Sequence, residues 1–203
     1  MVLMGYLRVY AQNRIDIVPT RAHEDRAVNF ALWTPLRWWI RLRRGRTPPA
    51  RLADPIWYFA YGSNMNERLF RERRHMTWRE ARAGRLNGYR LVFTVGGGMR
   101  PGVSAPANIV PASGGVVYGA LYLLPLRKFA RLDNSEGKQY DYLWTEAEDL
   151  AGNRLPVVTY KVPHAAPEGR PGTGYLNLIR EAARQRALPA DYIAFLDNVE
   201  ARE

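Results

Sequence analysis

The chain has 203 residues, 47% of them hydrophobic and 24% charged, enough for one full core and at most two domains. It contains no cysteine, which excludes disulfides, thiolate metal sites and a cysteine nucleophile, and its three histidines, His23, His75 and His164, show no metal-ligand spacing, so no metal site is expected. The net charge of +11 raises the question of nucleic acid, but the arginines run along the whole chain with no zinc, helix-turn-helix or RNA-binding signature, so no nucleic-acid partner is expected.

In chain order, residues 1–54 read as an N-terminal extension ahead of a main domain, 55–203. The break falls near Arg46-Thr47-Pro48-Pro49-Ala50-Arg51, where two prolines flanked by arginines suit an extended linker. Residues 7–18 read as an extra hairpin or edge strand. Residues 34–44 read as a helix, with Thr34 as N-cap and Pro35 as its first residue. Leu32, Leu36, Trp39 and Ile40 would share one face of it and Arg37, Arg41 and Arg44 the other. That pattern fits contact with an anionic membrane surface, while packing on the main domain or a second subunit is the plainer reading. The helix is too short to span a bilayer. Residues 1–10 lack a basic stretch followed by an apolar core, so a cytoplasmic location is expected. No oligomeric state follows from the sequence.

The main domain alternates short apolar runs with glycine and proline breaks. Residues 57–61 read as a strand and 65–74 as a helix, with Asn64 as N-cap and Glu67 completing a capping box. Two strands, 83–86 and 89–95, read as a hairpin about Asn87-Gly88. Residues 96–115 read mostly as loop, with a short strand at 108–110, and 116–124 as a strand. Pro125 opens a short helix over 126–132. Residues 140–146 and 155–162 read as a hairpin about Ala151-Gly152-Asn153. Two helices, 175–186 and 189–199, close the chain. Strands not regularly separated by helices indicate an α+β fold rather than a doubly wound sheet.

Two segments carry candidate chemistry. At Tyr61-Gly62-Ser63-Asn64 a strand turns sharply toward a helix, and backbone N–H groups at such a corner point outward together, forming a small anion site. In Leu132-Asp133-Asn134-Ser135-Glu136-Gly137 a carboxylate sits between a helix and a strand, where it could act as a general base. Taken alone, a Glu-Gly pair is more often a solvated turn. Gly96-Gly97-Gly98 lacks the Gly-Lys-Ser/Thr ending of a phosphate loop. Strand alternation puts at least one of Tyr58 and Phe59 in the core.

Tyr58-Phe59-Ala60-Tyr61-Gly62-Ser63-Asn64, followed some seventy residues on by Leu-Asp-x-x-Glu-Gly, resembles the gamma-glutamylcyclotransferase-like family. The likeness continues through Ala83-Gly84-Arg85-Leu86-Asn87-Gly88-Tyr89-Arg90-Leu91, Val117-Tyr118-Gly119-Ala120-Leu121-Tyr122, Gly174-Tyr175-Leu176-Asn177-Leu178-Ile179 and Leu188-Pro189-Ala190-Asp191-Tyr192. It implies a small mixed β-barrel flanked by helices. It also implies a reaction in which a gamma-glutamyl compound loses its amine as its own α-amine closes on the γ-carbonyl, releasing 5-oxoproline. No cofactor is implied, and the partner is the small-molecule substrate. On this likeness Glu136 matches the catalytic acid and base. Tyr58, Phe59, Ala60, Tyr61, Gly62 and Ser63 match the substrate-binding strand and corner, and Tyr175 a substrate-contacting tyrosine. Tyr140 and Tyr160 are weaker candidates for pocket walls. Asn64 separates the chain from the glutathione-specific branch, whose motif ends in Leu, and leaves the leaving amine open. A noncatalytic binder of a gamma-glutamyl-like anion is the alternative reading.

Overall fold

The computed structural model describes residues 7–10, 14–17, 54–95, 104–133, 140–162 and 167–203. The chain divides into two compact units, Met1–Leu52 and Ala53–Glu203. In the first, β1 (Leu7–Tyr10) pairs antiparallel with β2 (Arg14–Ile17), giving the hairpin expected there. The helix expected at 34–44 lies outside the described residues.

The second unit is a closed five-stranded barrel in the order β3-β5-β4-β6-β7. Its strands are β3 (Pro55–Ala60), β4 (Glu80–Phe93), β5 (Ala107–Pro125), β6 (Asp141–Asp149) and β7 (Arg154–Lys161). All neighbours are antiparallel except β3 and β7, whose parallel pairing closes the barrel, so the sheet is mixed. The closing seams are short, Gly84 and Arg85 against Asp149 and Glu148, and Trp57 and Tyr58 against Val157 and Val158. Three helices follow: α1 (Leu126–Asp133), α2 (Thr173–Gln185) and α3 (Ala190–Asp197). No described helix is long and apolar enough to cross a membrane.

Period-two alternation sorts the strand residues between two faces, and here both are covered. Phe59, Leu121 and Thr159 share one face, and Tyr58, Tyr122 and Val158 the other; all six are buried. Gly119 makes room in the barrel, since a Cβ there would lie 2.3 Å from the Ala60 carbonyl oxygen and 2.8 Å from Phe59 Cζ. α1 begins where Pro125 ends β5, and it buries Phe129 and Leu132. α2 buries Leu176, Ile179, Ala182 and Ala183, the spacing of one helical face. Arg180 ties α2 to the end of α3, donating to the carbonyls of Leu196, Asp197 and Val199 at 2.9–3.0 Å.

Three local expectations are corrected. Asn87-Gly88 does not reverse the chain: β4 runs straight through it, with Gly88 at φ +81°. Asn87 pairs with Val116 and Tyr89 with Pro111, so the long β5 finds partners on both sides of an irregularity, and the turn dipeptide becomes a bulge. For the same reason the loop expected up to 115 is strand from Ala107 onward. The helix after the corner is shorter than expected: a 3₁₀ turn, Ser63–Met65, then a helical segment ending in the π-helical turn Leu69–Arg73. Its cap is Asn66, whose Oδ1 accepts from the Leu69 N–H at 3.1 Å. Asn64 instead turns inward, and Glu67 pairs with Arg186 rather than completing a capping box.

Candidate functional site

The corner begins where β3 ends at Ala60. Tyr61 is buried, and its hydroxyl donates to the Tyr160 carbonyl on β7 at 2.6 Å. Gly62 and Ser63 then form the turn: the Gly62 carbonyl accepts from Met65 N–H at 2.9 Å and the Ser63 carbonyl from Asn66 N–H at 3.0 Å. Among the described residues, no hydrogen bond takes up the N–H of Gly62 or Ser63. Both residues are half-buried, which leaves room for a ligand to reach these donors.

Residues distant in sequence converge on this corner. A Cβ on Gly62 would meet Tyr175 Oη at 3.2 Å and Ala107 Cβ at 3.3 Å, so the glycine permits a close approach. Tyr175, on the first turns of α2, accepts from the Ala107 N–H at 3.0 Å, and Tyr140 donates to the Ala107 carbonyl at 2.8 Å. Both peptide groups of one β5 residue are thereby held by tyrosines from other elements. Tyr140 also meets the Tyr160 ring edge-on at 6.4 Å.

Of the residues singled out in the sequence, Gly62, Ser63, Tyr175 and Tyr140 are thus brought together. Tyr58 and Phe59 are both core side chains, on opposite faces of β3. Tyr58 accepts from Asn64 Nδ2 at 3.1 Å and lies among Phe70, Phe129 and Tyr160, while Thr159 donates to the Phe59 carbonyl at 2.7 Å. Ala60 is fully packed. Any contribution of 58–60 to a ligand would therefore come from backbone. Glu136, His164 and Gly96-Gly97-Gly98 lie outside the described residues. His75 is exposed.

Behind the corner is a brace that sequence reading did not anticipate. Tyr122 on β5 is fully buried, and its hydroxyl donates toward the carbonyls of Asn64 and Met65, each at 3.1 Å. Arg186, just past α2, donates through Nε to the Met65 carbonyl at 3.0 Å and through Nη2 to Tyr122 Oη at 2.6 Å. Its guanidinium also stacks over the Tyr122 ring at 4.9 Å and meets Glu67 Oε1 at 3.1 Å. Burial pushes the Tyr122 phenol up, so it stays protonated and able to donate. No local signal pointed to these two residues. Tyr122 reads as one more apolar strand residue, and Arg186 as a solvated cation at a helix end.

Among the described residues, no group of histidines and carboxylates could hold a metal ion. What the arrangement offers is a half-buried corner with two backbone donors that no described group takes up, walled by tyrosines and fixed from behind by a buried phenol and an arginine. Such donors suit a carboxylate or a developing oxyanion.

Comparison with known proteins gives the same direction. Residues 116–196 match the model of the AIG2-like family. The gamma-glutamyl cyclotransferase aclK of Aspergillus oryzae is 28% identical over 161 residues, covering 68% of this chain and 59% of its own length. The chain therefore spans about three-fifths of that relative. A solved gamma-glutamyl cyclotransferase superposes with a TM-score of 0.65 at 23% identity, over 74% of this chain and 90% of that one. An uncharacterized protein from Homo sapiens superposes with a TM-score of 0.64 at 22% identity, over 73% and 90%. At those identities the structural matches establish the fold. The chain thus shares the fold of a solved gamma-glutamyl cyclotransferase, and its residues 116–196 are similar to the AIG2-like family.

Proposed function

We propose that the chain is a gamma-glutamyl cyclotransferase-type enzyme with the corner at Gly62 and Ser63 as its anion site and Glu136 as its proton carrier. The reaction needs no nucleophile from the protein. The substrate's α-amine attacks its own γ-carbonyl, the new C–N bond closes a five-membered lactam, and the C–N bond to the leaving amine breaks. Holding the substrate folded is the main demand, and well-oriented intramolecular attack is worth up to about 7–11 kcal/mol of barrier. Glu136 takes one proton from the α-ammonium before attack and a second from the attacking nitrogen as the lactam forms, and passes both in turn to the departing nitrogen, which leaves as an ammonium, so protons balance over the cycle. The N–H groups of Gly62 and Ser63 hold the glutamyl carboxylate or the oxygen that gains charge, and Tyr175 closes one wall.

The observation that carries this reading is the convergence at the corner: two backbone donors that no described group takes up, Tyr175 against Gly62, and Tyr140 anchored beside them. The described flanks of the segment bearing Glu136 support its role. Phe129 of α1 stacks on Tyr160 at 5.5 Å, and Tyr140 meets the same ring. Glu136→Gln tests the assignment: turnover is expected to fall by at least about a hundredfold, the lower end of a proton-transfer contribution, while binding of a gamma-glutamyl amino acid by calorimetry persists. Turnover at the wild-type rate would remove Glu136 from the mechanism.

A further inference from the structure

Apart from Arg74 and Arg202, the described arginines of the barrel unit fall into two groups. Arg82, Arg85, Arg90, Arg154, Arg170, Arg180, Arg184 and Arg186 each pair with a carboxylate. Arg68, Arg71, Arg73, Arg79, Arg127 and Arg131 are exposed, and among the described residues they meet no carboxylate. All six lie on two segments, the stretch 68–79 that follows the corner and the outer face of α1.

These segments adjoin. Phe70 and Phe129, their buried anchors, pack on the same Tyr58 ring at 6.0 and 5.8 Å. Arg71 stacks over the half-buried Trp78 at 4.6 Å. The next residue, Arg79, donates its N–H to the Leu123 carbonyl at 2.7 Å, just short of where β5 gives way to α1. Arg127 and Arg131 are one helical turn apart on α1's exposed side. Of the nearby acids, Glu72 is exposed, Glu67 is engaged by Arg186, and Asp54 lies where the chain enters the barrel, its carbonyl accepting from Leu126 N–H at 2.9 Å. The cluster centred on Arg71, Arg79, Arg127 and Arg131 lies at the end of the barrel where Pro55 pairs with Pro125; the corner follows Ala60, at the other end.

We propose that this arginine face docks the protein on an anionic lipid surface. A cation that meets no carboxylate among the described residues can sit against lipid phosphate and carboxylate groups, and a partly exposed tryptophan among such cations suits the headgroup level. The half-buried Trp78 stacked among these cations favours a lipid headgroup layer over nucleic acid. Docking by this end leaves the Gly62 corner open to small molecules.

The test is sedimentation of the full chain with phosphatidylcholine vesicles and with vesicles of phosphatidylserine and phosphatidylcholine in equal parts. The wild type is expected to bind only the second kind, more weakly as salt rises. Replacing Arg71, Arg79, Arg127 and Arg131 by Gln is expected to weaken that binding at least about tenfold. Replacing the carboxylate-paired Arg90, Arg154 and Arg170 by Gln is expected to change it less than about twofold. Two double variants, Arg71 with Arg79 and Arg127 with Arg131, carry the test if the quadruple variant does not fold; each is expected to lose at least about threefold. Four results would overturn the proposal: equal binding to both vesicles, wild-type affinity in the variants, equal loss in the paired-arginine control, or arginine-dependent binding of single-stranded RNA without vesicle binding.

Discussion

Tyr122→Phe probes the brace behind the corner with the smallest possible change. The ring stays, with its stacking on Phe70 at 4.6 Å; only the hydroxyl goes. Its loss leaves the Asn64 and Met65 carbonyls without that donor and one N–H of Arg186 without that acceptor. The shared neutral donation is worth about 1 kcal/mol and the charge-assisted bond about 1.5–3 kcal/mol, and little water can replace either beside a fully buried ring. The expected cost is about 3 kcal/mol, or roughly 6–12 °C in melting temperature for a domain of this size. The corner loses its rear support, so kcat is also expected to fall, by about ten- to a hundredfold, the scale of a sub-ångström to one-ångström misplacement. Differential scanning calorimetry reads the first effect and 5-oxoproline release the second. Because Arg186 shares the network, Arg186→Met combined with Tyr122→Phe should cost less than the sum of the two single changes. A Tyr122→Phe protein that melts within about 2 °C of wild type and turns over at the same rate would refute the brace.

Two further predictions concern the barrel. Gly119→Ala places a methyl group 2.3 Å from a backbone oxygen and against Phe59, neither of which can move cheaply, so a loss of at least about 3 kcal/mol is expected in urea unfolding. Asp149 accepts from the side chain and N–H of Asn153, from Arg82 and from the Ala151 N–H, and these hold its carboxyl at about 2, below the usual carboxylate value of about 3.9. The native form thus favours the charged carboxylate. Its contribution is complete above the unfolded value and fades as pH falls from there toward about 2. Across that window Asp149→Asn should lose less stability than wild type by urea titration, and parallel losses would remove Asp149 from the acid response.

Much of the barrel was legible because local and long-range preferences agree. Pro125 both ends β5 and opens α1, and Gly152 at φ +88° closes the β6–β7 turn as its dipeptide context predicts. The corner was legible for the same reason: Gly62 is the residue that lets Tyr175 approach. The misread positions are those where tertiary pairing chose among local options. Asn87-Gly88 has hairpin chemistry, but β5 is long enough to pair on both sides, so the dipeptide is spent on a bulge. Asn64 and Asn66 are both good caps; the buried Tyr58 hydroxyl draws Asn64 inward and leaves the capping to Asn66. The brace was invisible because its two members are 64 residues apart, and neither makes sense without the corner between them.

The central claim, cyclisation of a gamma-glutamyl substrate at the Gly62 corner, meets its most direct test in a substrate panel. Purified full-length protein is incubated with gamma-glutamyl amino acids, gamma-glutamylamines and glutathione, and 5-oxoproline is quantified by mass spectrometry. Release of 5-oxoproline from at least one member, with an equal amount of free amine, is the predicted result. A folded protein that yields none from any member would contradict it.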